Sequence, residues 1–271
     1  MTRLVRQITG GRFGAPATSI AILAVVLLYW QFGIDHKAVQ YLPAPSKIFE
    51  ALRRGFETDL ASRAGWYVHI GATLYSAFIG LLIGTIIGVG VGTVLAEIPF
   101  LDRTFSPFVI ALQVLPKIAI APLLVLLLGF DLPSKVAIVV LLTFFPMLVN
   151  TKAGIGAVPS ECVDVMRSLA ASRWQIFWMA KFPSALPFIF AGLQMALVFS
   201  LTGAIVGEFI GAKEGLGRLI LEMNAQFDQA GLFAALVILG CIGALFHASL
   251  RVFQRRVLFW SPENIRTTVG S

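Results

Sequence analysis

Charge is what this chain has least of. Only 13% of its 271 residues are Asp, Glu, Lys or Arg, about half of what a soluble domain places on its surface. A soluble protein of this length is therefore excluded. Cysteine is almost as scarce, with two in the chain, so a disulfide scaffold is excluded as well. Histidine occurs three times, at His36, His69 and His247, in unrelated regions, and no C-x-x-C or H-E-x-x-H spacing offers a metal site. No glycine is followed by lysine, so there is no phosphate-binding G-x-x-x-x-G-K-[ST] loop. The net charge of +7 is spread along the chain, without the basic run that tracks a nucleic-acid backbone. Hydrolysis, redox and metal chemistry thus have no visible machinery here. Any energy the protein uses must come from another chain or from an ion gradient.

What is present is apolar: 58% of residues, with a mean hydropathy of +0.86. A helix needs about 20 mostly apolar residues to cross the hydrocarbon core of a bilayer. Residues 13–34, 64–96, 182–207 and 229–250 are free of charged side chains. Residues 104–130 are interrupted only by Lys117, and residues 136–151 gain length from Leu132, Pro133 and Ser134. The expectation is an all-α membrane protein with one membrane-spanning domain and six transmembrane helices, at about 15–34, 67–97, 104–130, 133–151, 183–207 and 229–250. The first span follows Arg3, Arg6 and Arg12 as a signal peptide would, but runs into Leu28-Tyr29-Trp30-Gln31 without a small-x-small cleavage site. It reads as a retained anchor with an aromatic belt at its far end.

Lys and Arg set the orientation. With the N-terminus inside, twelve of the 21 basic residues fall on the cytoplasmic side and eight outside, with Arg251, Arg255 and Arg256 the strongest cluster. Both termini are then expected in the cytoplasm, and the long connection at 152–182 with them. There Cys162, Val165, Met166 and Leu169 share one helical face, after a start signal at Pro159-Ser160 and with Glu161 and Asp164 in the first turn. A second short helix is expected from Ser172, with Gln175 completing a capping box and Pro183 ending it. Such an amphipathic pair either lies on lipid or docks in the groove of a partner.

This connection resembles the EAA loop of binding-protein-dependent ABC-transporter permeases, whose pattern is Glu-Ala-Ala, three residues, Gly, nine residues, Ile-x-Leu-Pro. Asp164 falls at the Glu position, Val165 and Met166 at the two Ala positions, Ala170 at the Gly and Ala180 at the Ile, with Phe182-Pro183 at Leu-Pro. Pro183 alone is identical, although every spacing fits. Ala170 stands where a left-handed residue would favour glycine. The stretches LPAPSKIFEAL (42–52), LQVLPKIAIAPLLVLLLGF (112–130), SLAASRWQIFWMAKFPSALPFIFAGLQMAL (168–197), GEFIGAKEGLG (207–217) and RRVLFW (255–260) are similar to the nitrate, taurine and aliphatic-sulfonate branch.

The resemblance implies a type I ABC importer permease with a MetI-like fold in the inner membrane. It implies two permease copies, two cytoplasmic ATP-binding subunits that hold ATP and Mg, and a periplasmic or lipid-anchored substrate-binding protein. This chain itself would carry no cofactor and perform no catalysis. Glu161, Asp164, Val165, Met166, Arg167, Leu169, Ala170, Ala171 and Arg173 would form the ATPase-coupling surface.

Polar residues inside the spans are candidates for the solute pathway. Lys117 would cost roughly 2.5–3.5 kcal/mol at a helix centre, so it either lines a cavity, attracting a sulfonate-, taurine- or nitrate-like anion, or pairs with an acid such as Glu208. Gln113, Gln194, Ser200 and Thr202 are pore groups or interhelical bonds. Glu208 reads as a loop charge or a gate element. Gly80, Gly84, Gly88 and Gly92 lie on one face and read as a helix-packing stripe. Cys162 and Cys241 are expected as reduced thiols. The outer segments, a short helix over 46–54 capped by Ser46 and a loop over 211–228, are candidate surfaces for the delivered binding protein. The competing class is a gradient-driven secondary carrier, against which stand the lack of acidic residues in the spans and of an inverted repeat of broken helices. A membrane-embedded enzyme is disfavoured for want of clustered His, Cys or acidic residues.

Overall fold

The computed structural model describes residues 14–33, 41–58, 62 and 65–260. Arg3, Arg6, Arg12, His36, Arg266 and both termini lie outside the described residues, and the expected side of the termini with them. The described chain is helical throughout. It comprises α1 (Gly14–Leu28) with a π turn at Tyr29–Gly33, α2 (Pro45–Glu57), α3 (Trp66–Glu97) and α4 (Pro99–Val114). A 3₁₀ turn at Lys117–Ile120 leads to α5 (Ala121–Leu128), α6 (Leu132–Gly156) and α7 (Ser160–Ser168). α8 (Arg173–Ile176) passes through a π turn at Phe177–Lys181 into α9 (Phe182–Gly211), followed by α10 (Leu216–Ala225) and α11 (Gln229–Val257).

By length and composition, α3, α6, the continuous helical stretch Arg173–Gly211 and α11 can each cross a membrane. The segment expected as one span over 104–130 is two helices bent by 83°. The cause is local. The ring of Pro116 excludes the helical conformation at Leu115, which adopts φ −60 and ψ 136. Within the first apolar segment, Thr18–Gly33 is an apolar helix, and the apolar residues of α1 from Ile20 onward are exposed.

The centre is α6, clasped between α3 and α9. The glycine stripe of α3 makes this possible. A Cβ at Gly88 would stand 2.6 Å from Met147 Cβ, and one at Gly92 would stand 2.7 Å from the Leu148 carbonyl oxygen. Gly80 and Gly84 meet Val139 and Thr143 in the same way. The partner of the stripe is therefore α6 of the same chain. Small residues on α9 repeat the device, with Gly192 against Pro146 and Asn150, and Gly203 against Val139 and Leu142. Close approach of backbones is what drives helix association where lipid removes the hydrophobic effect.

At the end of the bundle away from α7, a second core joins α2, α3, α10 and α11 through Ile48, Ala51, Trp66, Leu219, Ala235 and Ile238. Trp66 Nε1 donates to the Leu52 carbonyl at 3.1 Å and ties α3 to α2. Ser46 is not the cap of α2. It sits inside the first turn, and the Gln31 side chain supplies the cap, accepting from the Ser46 N–H at 3.1 Å and donating to its hydroxyl at 3.2 Å. The segment 211–228 is not a loop throughout, because α10 buries Leu216, Leu219 and Ile220. Pro183 does not end the helix begun at Arg173. The π turn immediately before it widens the backbone where a proline ring would crowd the preceding turn, and the helix continues to Gly211.

Candidate functional site

The connection between α6 and α9 begins at Pro159, which precedes α7 with an extended ψ of 136. Glu161 lies in the first turn, where the helix dipole favours an anion. Asp164 is held by Arg167 at 3.2 Å, and its carbonyl accepts from the Ser168 hydroxyl at 3.0 Å. The helix ends in a Schellman motif. The Ala171 N–H donates to the Met166 carbonyl at 3.0 Å and the Ala170 N–H to the Arg167 carbonyl at 2.9 Å. Ala170 itself has φ +57, so the position where the resembling pattern carries Gly is the left-handed C′ residue that this motif demands. The expected capping box then starts α8. The Gln175 N–H donates to Ser172 Oγ at 3.2 Å, and the Ser172 N–H donates to Gln175 Oε1 at 2.8 Å.

α7 buries none of its residues. Val165 is 60% exposed and Leu169 77% exposed, and Trp174, Trp178 and Met179 are also exposed. Trp174, Phe177, Trp178 and Phe182 form a continuous aromatic cluster at the root of the loop. The nine residues from Glu161 to Arg173 named as a coupling surface therefore occupy one helix, its cap and the start of the next. They form a projecting apolar face edged by charge. Cys162 on this helix and Cys241 in α11 are both free.

The residues named as pathway candidates are not gathered into one cluster. Gln113 and Lys117 meet at the break of the bent helix, where Lys117 Nζ donates to the Gln113 carbonyl at 2.8 Å and lies 4.6 Å from the centroid of the Phe145 ring. Lys117 is not paired with Glu208. Gln194 Nε2 donates to Gln254 Oε1 at 2.7 Å, which joins α9 to α11. Ser200 is fully buried with its hydroxyl on the Leu197 carbonyl, and Thr202 is exposed with its hydroxyl on the Val198 carbonyl.

Glu208 is neither a loop charge nor outside the helix. It lies one turn inside the end of α9 and is 1% exposed. The Thr73 hydroxyl donates to Oε1 at 2.8 Å and the Gly217 N–H to Oε2 at 2.7 Å. Around it, the Leu216 N–H donates to Thr73 Oγ1 at 2.9 Å, the Gly215 N–H to His69 Nδ1 at 3.1 Å, and Lys135 Nζ to the Glu214 carbonyl at 2.9 Å. The segment between α9 and α10 is thus pinned to α3, α6 and α9 at once. Sequence reasoning missed this clasp because its members lie far apart in the chain. It also missed α10, although Leu216, Leu219, Ile220 and Met223 carry the helical period.

Two ion pairs lie at the α7 end. Lys181 Nζ meets Glu97 Oε1 at 2.7 Å. Lys152 pairs with Asp102 and donates to Ser106 Oγ at 2.7 Å. Among the described residues, no group of three His, Cys, Asp or Glu is placed to hold a metal ion.

Residues 80–259 match the family model of the binding-protein-dependent transport system inner membrane component. The chain belongs to this family. It is 34% identical over 250 residues to the riboflavin transport system permease protein RibX of Chloroflexus aurantiacus, covering 92% of each chain. It is 33% identical over 237 residues to the formylaminopyrimidine transport permease protein ThiX of Halalkalibacterium halodurans, covering 87% of this chain and 92% of that one. The taurine transport system permease protein TauC of Escherichia coli is 27% identical over 247 residues, covering 90% of both. Among solved structures, an inward-facing form of the MetNI methionine ABC transporter aligns with a TM-score of 0.62 at 20% identity, over 78% of this chain and 97% of that one. The MetI-like fold is therefore shared. The permease is a multi-pass inner-membrane subunit of an ATP-driven importer that works with ATPase subunits and a substrate-binding protein. It is itself non-catalytic. The family assignment removes the gradient-driven carrier from consideration.

Proposed function

We propose that this permease couples to its ATPase through the apolar face of α7, with Val165 and Leu169 as the buried contacts and Glu161, Asp164, Arg167 and Arg173 as the charged rim. Met166, Ala170 and Ala171 complete the surface and set the turn into α8. The observation that carries the reading is a helix with an apolar face that none of the described residues buries. A helix laid in a groove is a recurrent way to bury such a face. In this reading α7 faces the cytoplasm, both termini lie on that side, and the chain crosses the membrane six times, counting α1 and the bent pair α4–α5. ATP and Mg are held by two partner ATPase subunits, and two copies of the permease enclose the pathway.

The pathway reading centres on Gln113 and Lys117, at the break of the bent helix, with Thr202 as a further exposed hydroxyl. A lysine has three donor hydrogens, and the Gln113 carbonyl takes one. The remaining two suit a small anionic solute of the sulfonate, taurine or nitrate type. A second reading is a small nitrogen heterocycle, favoured by the names of the ThiX and RibX relatives.

Co-purification tests the coupling role. Val165→Asp with Leu169→Asp places two carboxylates on a face that is exposed among the described residues, so the chain should still fold and reach the membrane. The expected result is loss of the ATPase from the tagged complex. Retention of the ATPase, with unchanged hydrolysis on addition of loaded binding protein, would sink the reading. Direct binding of a taurine-like anion and of a formylaminopyrimidine to the partner binding protein separates the two solute classes.

A further inference from the structure

α4 is loosely held. It buries none of its residues, and a cavity of about 510 Å³ separates it from α6, lined by Leu95, Val109, Ile110, Gln113, Leu148 and Lys152. One polar clip crosses the gap: Lys152 of α6 reaches Asp102 and Ser106 of α4. One extended residue, Ile98 with φ −118 and ψ 93, joins the foot of α4 to α3. At its other end is the 83° break. The helix therefore has a hinge at each end and empty space behind it.

Glu97 is the last residue of α3 and adjoins the Ile98 hinge. Its carboxylate is held by Lys181, 84 residues away in sequence, in the π turn between α8 and α9 at the root of the α7–α8 loop. The Lys181 side chain is partly buried, at 23% exposure, and Glu97 lies at the surface, at 34%.

We infer that the Glu97–Lys181 pair is the contact through which a displacement of the α7–α8 loop reaches α4, with Lys152 setting the resting position of that helix. A shift of the loop carries Lys181. Lys181 draws Glu97 with it, and the Ile98 hinge converts that pull into a tilt of α4 across the cavity. The much closer packing of α3, α6 and α9 through their small residues keeps the rest of the core in place. Glu97 and Lys181 are positioning residues, acting through α4 on the pathway at Gln113 and Lys117. The inference rests on the reading of α7 as the ATPase-docking helix.

The test uses the assembled transporter, permease with ATPase and binding protein, in lipid nanodiscs. Cys162→Ser and Cys241→Ser clear the native thiols. Spin labels go on Phe108→Cys in α4 and Val198→Cys in α9, both exposed, with labelled copies diluted into unlabelled ones. The label separation is measured without nucleotide and with ATP, Mg and vanadate. The expected result is a nucleotide-dependent shift in the parent protein that is mostly lost in Glu97→Gln and in Lys181→Gln. The exchange Glu97→Lys with Lys181→Glu should restore it, which assigns the effect to the ion pair, and unchanged thermal stability and ATPase binding in the single variants separate this role from a merely structural one. A full shift in both single variants overturns the inference while leaving α7 docking intact. So does a parent transporter that binds its ATPase but shows no shift. An ATPase that fails to bind the parent permease overturns the docking reading, and the inference with it.

Discussion

The Thr73 hydroxyl donates to Oε1 of Glu208 at 2.8 Å, across 135 residues of chain and in an interior sealed from solvent. The other carboxylate oxygen takes the Gly217 N–H, so one side chain satisfies groups from α3 and α10. Removing it leaves both donors buried without an acceptor, a penalty of about 1–3 kcal/mol for each. Glu208→Ala is expected to destabilise the permease by about 3 kcal/mol. Glu208→Gln should cost less, since one oxygen remains but an N–H₂ then faces the second donor. Thermal unfolding in detergent checks this. An Ala variant as stable as the parent would show that the clasp contributes nothing.

Ala170 offers the opposite case, a site where a substitution should help. Its φ of +57 and the two Schellman hydrogen bonds around it describe a glycine position occupied by alanine. The left-handed conformation costs an L-residue about 1 kcal/mol. Part of that is returned because glycine loses more freedom on folding. Ala170→Gly is thus expected to strengthen the turn by a few tenths to about 1 kcal/mol. Hydrogen exchange at the Ala170 and Ala171 amides should slow by up to about fivefold. Faster exchange would mean that the turn is not held as described.

The difference between these two sites shows what a single sequence can reveal. The coupling loop is local, so proline, cap and helical period at 159–175 announce its helices, and the capping box of Ser172 and Gln175 is legible before any coordinates exist. The glycine stripe of α3 likewise announces a close approach, although not that α6 answers it. The clasp at Glu208 has no such local signature. Its partners Thr73, Gly217, His69 and Lys135 are ordinary residues until folding brings three helix ends together. The bend at Leu115-Pro116 was signalled by the proline. The apolar run on both sides masked it, because hydropathy reports burial in lipid and not continuity of a helix. The same masking hid the passage of the chain through Pro183, where a π turn does what a helix end was expected to do.

Gly88 and Gly90 make a matched test of the packing stripe. A Cβ at Gly88 would lie 2.6 Å from Met147 Cβ and 2.8 Å from the Phe144 carbonyl oxygen, whereas one at Gly90 would meet nothing within 4 Å. Gly88→Ala must push α3 and α6 apart and is expected to cost about 1–3 kcal/mol. Gly90→Ala sits on an open helix face and should gain about 0.5–1 kcal/mol from the lower entropy of its unfolded chain. Both are read from unfolding midpoints in the same detergent. Equal effects at the two positions would remove the α3–α6 contact from the account of stability.

Lys117 separates a structural role from a transport role. Its ammonium is held by the Gln113 carbonyl and the face of Phe145, and such a cation–π contact contributes about 0.5–2 kcal/mol depending on desolvation. Phe145→Leu removes the ring but leaves the charge, so it should lower stability while uptake per folded transporter is retained. Lys117→Met removes the charge and keeps an apolar side chain of similar length. For an anionic solute, that variant should raise the half-saturating concentration for uptake when the binding protein is saturating relative to the permease, with stability lowered no more than in Phe145→Leu. The two variants must be compared per folded molecule, because loss of fold alone reduces uptake in both. If uptake by Lys117→Met matches that of Phe145→Leu at every solute concentration, the ammonium only braces the bend, and the pathway must be sought along the exposed face that carries Thr202.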